Sequence, residues 1–142
     1  HNDEDSTVSV PLIGNVACGN PIFAYENIEA YIPYASKKVA GAKEEYFFLR
    51  AVGDSMNKSS IEGKTIEDGD FVLIHRTSTA NYGQRVLALI GDNATIKKMT
   101  SGDGCIQLVP ESTNEAHKPI FVFDNLLIQG VVVDVIKKMK DK

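Results

Sequence analysis

From Tyr46 onward the chain alternates short apolar runs with polar turn clusters. The runs are YFFLRAV (46–52), DFVLIHR (70–76), QRVLALI (84–90), NATIKKM (93–99), CIQLVP (105–110), PIFVF (119–123) and LLIQGVVVDVI (126–136). They are rich in Val, Ile and Phe, and the clusters EDGD, NYG, IGDN and SGDG separate them. β-branched and aromatic residues fit a pleated surface, and Gly, Asn and Asp supply the tight reversals between strands. Short strands at this spacing, with no helical period between them, predict a compact, mostly-β fold with little helix. Upstream, VPLIGNVACGNPIFAYENI (10–28) breaks its apolar residues with Gly, Pro and Asn, which suits extended segments and turns. ASKKVAGAKEE (35–45) is expected to be an exposed loop with at most a helical turn. HNDEDSTVSV opens polar and acidic, so residues 1–9 are expected to be a linker tail and 10–142 one folded domain.

The chain has 142 residues, enough for one domain with a real core. Its formal net charge is -4, and its basic residues form no block apart from the terminal KKMKDK. A chain that neutralised DNA phosphates by itself would carry a cationic face, so direct DNA binding is not expected of this one. No apolar run reaches the roughly 18 to 20 residues that span a bilayer, and no membrane contact is expected. Cys18 and Cys105 lack metal-type spacing and are too few for a disulfide framework, which suits a reducing, cytoplasmic setting. No metal site and no cofactor are expected. The chain begins at His1 rather than Met, and it is read as a fragment with further residues upstream.

The stretch FFLRAVGDSMNK (47–58) runs an apolar strand directly into Gly-Asp-Ser-Met, placing Ser55 at a strand end. A serine hydroxyl is a weak nucleophile until a base takes its proton. His1 is terminal, His75 ends the run FVLIH beside Arg76, and His117 lies in the polar loop STNEAHKP. None of the three is tied to Ser55 by spacing. Lysine is the other candidate base. In NATIKKM a two-residue period puts Thr95 and Lys97 on one face, with Ala94, Ile96 and Lys98 on the other. One lysine thus points inward while its neighbour points to water. An exposed lysine is neutral only about four times in ten thousand at pH 7. Burial disfavours the ammonium form and can lower its pKa by roughly 3–5 units. Taken singly, Ser55 is an ordinary turn serine and Lys97 an ordinary surface lysine; spacing alone does not pair them.

What pairs them is a resemblance. GDSM, then IEDGDFVLIHRTSTANYGQRVLALI, ATIKKM, LVPES, KPIFV and IQGVVVDVIKK resemble, in that order, the self-cleaving domain of LexA-type repressors. Phage repressors and UmuD-type mutagenesis proteins share that domain. The similarity runs from about Val10 to the end. It implies a compact β fold of the LexA and signal-peptidase kind, with Ser55 as nucleophile and Lys97, the first of two lysines, as base. It also implies a scissile bond at Cys18–Gly19, where a small residue precedes glycine, and an oxyanion site made by the backbone N–H groups of Asp54 and Ser55. The same resemblance implies a homodimer and cleavage stimulated by a RecA filament on single-stranded DNA. DNA contact would come only from an N-terminal domain outside this chain. LLIQGVVVDVI is expected to form part of the dimer contact. The Cys-Gly bond is closer to the UmuD pattern, and a UmuD-like polymerase accessory protein stays open as the alternative, as does a catalytically silent dimerisation module. NKSSIEGKT (57–65) is longer than the stretch expected between the nucleophile and the DGD turn, which predicts an extra surface loop or turn there.

Overall fold

The computed structural model describes residues 6–14, 28–39, 45–91, 93–123 and 126–139. These form a single mixed sheet of nine strands, β1 (Thr7–Ile13), β2 (Ile28–Ala35), β3 (Tyr46–Arg50), β4 (Phe71–Arg76), β5 (Arg85–Ile90), β6 (Asn93–Gly102), β7 (Cys105–Val109), β8 (Ile120–Val122) and β9 (Leu126–Ile136). The mostly-β expectation holds, and each of the seven apolar runs after Tyr46 carries a strand. The order across the sheet is β2-β1-β3-β4-β9-β5-β6-β7-β8. Among these described neighbours only β1 and β3 run parallel, through Leu12↔Phe48 and Ile13↔Leu49.

Two boundaries differ from the sequence reading. β1 starts at Thr7, and Thr7, Val8 and Ser9 pair with Ala35, Tyr34 and Pro33. The period-2 pattern TVSVPLI extends the strand into the stretch expected as tail. A 3-10 turn occupies Ser36–Lys38, and Val39 after it is buried against Tyr34 and Tyr46 rather than exposed.

Continuous apolar runs mark strands covered on both faces. In β4, Val72 and Ile74 join one core cluster with Phe47, Met56 and Leu87, while Leu73 between them joins another with Leu12, Tyr34 and Phe48. A third cluster, around Val86, Met99 and Leu108, closes the β5–β8 end. β9 serves β4 and β5 together because its register shifts twice, between the pairs Leu73↔Asp134 and Ile74↔Val132 and between Leu87↔Gly130 and Ala88↔Ile128. Gly130 sits where β4 comes closest: a Cβ there would lie 2.3 Å from Ile74 Cγ2 and 2.6 Å from the His75 carbonyl. β4 pairs with the second half of β9, from Gly130 to Ile136, and β5 with the first half, from Leu126 to Val131.

The segment 57–65 is not wholly a surface loop. Ile61 and Lys64 bridge in a tight turn, and Ile61 is buried in the cluster with Met56 and Ile66. Lys64 Nζ reaches Asp134 Oδ1 at 2.8 Å, and the Tyr34 hydroxyl donates to the other oxygen of that carboxylate. Burial by itself would push the Asp134 carboxyl up; the Lys64 ammonium and the Tyr34 hydroxyl outweigh it and hold it below the usual aspartate value. An ionised carboxylate is thereby kept inside the fold with both oxygens satisfied. Among the described residues no helix is long and apolar enough to cross a membrane.

Candidate active site

The β3 strand delivers the chain to the nucleophile turn. Ala51 donates its N–H to the Asp70 carbonyl at 2.7 Å, and Gly53 donates to Asp68 Oδ1 at 2.7 Å, so the DGD turn props the approach to Ser55. Gly53 has φ +85°, a left-handed conformation that an L side chain rarely adopts, and it turns the backbone sharply out of the strand direction. Met56 anchors the far side of the turn in the core, and buried Ser59 donates its hydroxyl to the Met56 carbonyl at 2.7 Å. Ser55 is left half-buried at the mouth of a cleft of about 330 Å³.

Lys97 comes from β6, opposite Val86 of β5. Its Nζ lies 3.2 Å from Ser55 Oγ and 2.6 Å from Thr95 Oγ1. The alternation read from NATIKKM is realised: Thr95 and Lys97 share a face, and Lys97 is only 8% exposed. Desolvation alone pulls its pKa below the ordinary lysine value. Among the described residues no carboxylate pairs with Lys97 to restore its ammonium form. A lysine held this way is biased toward the neutral amine, the form that accepts a proton.

The histidines fall elsewhere. His75 stacks on Tyr46, with ring centroids 4.8 Å apart, and its Nε2 is 3.0 Å from Glu45. His117 reaches the nucleophile turn but not the nucleophile: its Nε2 donates to Asp54 Oδ1 at 2.5 Å. That bond, and a second from Asn114 Nδ2, hold the exposed Asp54 carboxyl below its usual value. This contact was not legible in the sequence. Ser112, Asn114 and His117 read there as loop formers about 60 residues from Asp54, and the Asn- and Ser-rich composition of STNEAH was the one available signal.

Cys18 and Gly19 lie outside the described residues, but both ends of the segment that holds them are placed. Gly14, the last described residue before it, lines the cleft together with Ser55. On the other side, Glu29 at the start of β2 pairs with Arg50, which also lines the cleft, at 2.7 Å. Val52 forms part of the same lining and is 86% exposed, an apolar side chain at the rim beside the serine.

Comparison with known proteins gives the chain's family. Residues 11–133 match the Peptidase S24-like family. The chain is 42% identical over 132 residues to a LexA repressor of Acetivibrio thermocellus, covering 93% of this chain and 58% of that protein. It is 39% identical to a LexA repressor of Geobacillus kaustophilus (92% and 59%) and 37% identical to one of Clostridium botulinum (92% and 61%). It therefore spans about three fifths of the length of these curated relatives. A match that takes in most of the sheet and both Ser55 and Lys97 places the chain in the Peptidase S24-like family.

Proposed function

We propose that this chain is the self-cleaving regulatory part of a LexA-like transcriptional repressor, with Ser55 as nucleophile and Lys97 as general base. The observation that carries this reading is the buried Lys97 amine 3.2 Å from Ser55 Oγ. Neutral Nζ takes the hydroxyl proton as Ser55 Oγ attacks the Cys18 carbonyl carbon, and Thr95 Oγ1 accepts an N–H from Nζ and keeps its lone pair aimed. The backbone N–H groups of Asp54 and Ser55 receive the oxyanion. The C–N bond to Gly19 then breaks, and the Gly19 nitrogen leaves with the proton from Lys97. Water, deprotonated by the same amine, hydrolyses the Cys18 acyl ester and frees Ser55.

The substrate in this reading is the chain's own arm. Cys18 is four residues beyond Gly14, so its carbonyl lies within at most about 14 Å of a residue already in the cleft. With the Arg50–Glu29 pair on the other side, the scissile bond needs no diffusional encounter, and proximity supplies much of the rate. Cleavage there separates an upstream DNA-binding domain from a dimerising one and relieves repression. A RecA filament on single-stranded DNA would act as the partner that favours the docked arm, on DNA damage.

The test is incubation of the purified chain between pH 6 and pH 10, with the products weighed by mass spectrometry. Cleavage at Cys18–Gly19 is expected to speed up as pH rises, because deprotonating Lys97 makes the base. Ser55→Ala and Lys97→Ala are expected to abolish it. An intact chain at every pH, even with an activated RecA filament, would instead identify a silent dimerisation module.

A further inference from the structure

The loop after β7 grips the nucleophile turn through more contacts than closing a loop requires. Glu111 donates its N–H to the Ser55 carbonyl at 3.0 Å, and Lys58 donates its N–H to the Glu111 carbonyl at 2.7 Å. Ser112 Oγ donates to the Asp54 carbonyl at 2.7 Å. Asn57 and Thr113 exchange two further bonds, 2.9 and 3.1 Å, and His117 and Asn114 hold the two oxygens of the Asp54 carboxylate. Arg85 ties this loop to β5 by two 2.8 Å bonds to the Glu111 carboxylate. β5 is the strand paired with β6, which carries Lys97. The turn that holds the serine and the strand that holds the lysine are thus referenced to one frame.

The Ser112 bond has a specific consequence. The Asp54 carbonyl belongs to the Asp54–Ser55 peptide, whose other polar group is the Ser55 N–H. In a planar trans peptide the C=O and N–H point in opposite directions, so fixing one fixes the other. Ser112 Oγ also accepts the Asn114 N–H at 2.9 Å, which commits its own proton to the Asp54 carbonyl. Without that donor the carbonyl retains, among the described residues, the 3.4 Å bond from the Asn57 N–H, and the peptide plane is free to tilt.

We propose that Ser112 is a positioning residue for the oxyanion site: by holding the Asp54 carbonyl it aims the Ser55 N–H at the oxygen that becomes charged during attack. This rests on the peptidase reading above, in which that N–H is one of the two donors. Amides that are pre-aimed cost no reorganisation as charge develops, whereas a donor displaced by a fraction of an ångström loses much of its effect.

Three chains test it: wild type, Ser112→Ala and Ser112→Thr, each followed for self-cleavage at high pH and for reaction of Ser55 with a fluorophosphonate probe. The probe's phosphoryl oxygen uses the same amides but does not need the arm. Ser112→Ala is expected to slow both reactions about 10- to 100-fold. The pH dependence should keep its wild-type midpoint, since Lys97 is untouched, and the thermal midpoint should stay close to wild type. Ser112→Thr keeps the hydroxyl and is expected to restore both rates. Wild-type rates in Ser112→Ala would overturn the proposal, and so would failure of Thr to restore them. Slow self-cleavage with normal probe reaction would also overturn it, since the loop would then act on arm docking. A wild-type chain that neither cleaves itself nor takes the probe would overturn the peptidase reading, and the clamp with it.

Discussion

Lys97 sets the character of the site at the level of a single residue. Its amine is buried beside the Ser55 and Thr95 hydroxyls, and no carboxylate among the described residues offsets the loss of water. A folded-state pKa lowered by desolvation means that the unfolded chain binds the proton more tightly than the folded one. The sign follows: between the lowered value and the ordinary value near 10.5, the unfolded state carries more protons, so stability rises with pH through that window. Replacing the amine with an isosteric apolar side chain removes the penalty. Lys97→Met is expected to be more stable than wild type at pH 7 by on the order of 1 kcal/mol, with the gap closing as pH rises. Urea unfolding at pH 7 and pH 10 measures both terms, and a Lys97→Met chain less stable at pH 7 would contradict the desolvated amine. Residue types and spacing offered Ser55 and Lys97 as candidates. They did not show the pair, because desolvation is a property of everything packed around Nζ and is written nowhere near residue 97.

Among the elements, β9 carries the most demanding geometry. Eleven residues pair with two strands through two register shifts, and Gly130 lies where β9 crowds β4. Its requirement is space rather than backbone freedom, since the obstacles to a Cβ are Ile74 Cγ2 and the His75 carbonyl. Gly130→Ala is therefore expected to cost about 1–3 kcal/mol, because the backbone obstacle is unable to rotate away as a side chain would. A denaturant midpoint equal to wild type would show that β4 and β9 separate without penalty. The existence of β9 was plain from its run of Val and Ile, and so were the other strands after Tyr46. The start of β1 was less plain, because Thr7 and Ser9 are polar while the stretch is extended by pattern, and pairing with Pro33–Ala35 decided between the two. The extra length of 57–65 pointed to a surface loop or turn there, and a turn does form at 61–64, but Ile61 sits in the core and Lys64 completes the Asp134 site.

At the scale of the whole molecule, the sheet brings three distant pieces of chain to one cleft: the end of β1, the turn after β3, and β6. Gly14 and Arg50 moor the two sides of the segment bearing Cys18–Gly19, so self-cleavage in this reading is unimolecular. Its first-order rate constant at fixed high pH is expected to stay constant across a 100-fold dilution. A rate that falls in proportion to concentration would show one chain cutting another.

The amino-acid sequence by itself determined the strand content, the turns between strands and the inward face of β6, because a two-residue period is a local property that adjacent side chains express wherever the strand lies. It also supplied the ordered motifs by which the family was recognisable. Only the tertiary structure decided that Lys97 meets Ser55 across 42 positions, that β9 lies between β4 and β5, and that Ser112 and His117 close on Asp54. Those outcomes depend on strand order and on exclusion of water, and both come from the packing of the whole chain at once rather than from any stretch of it.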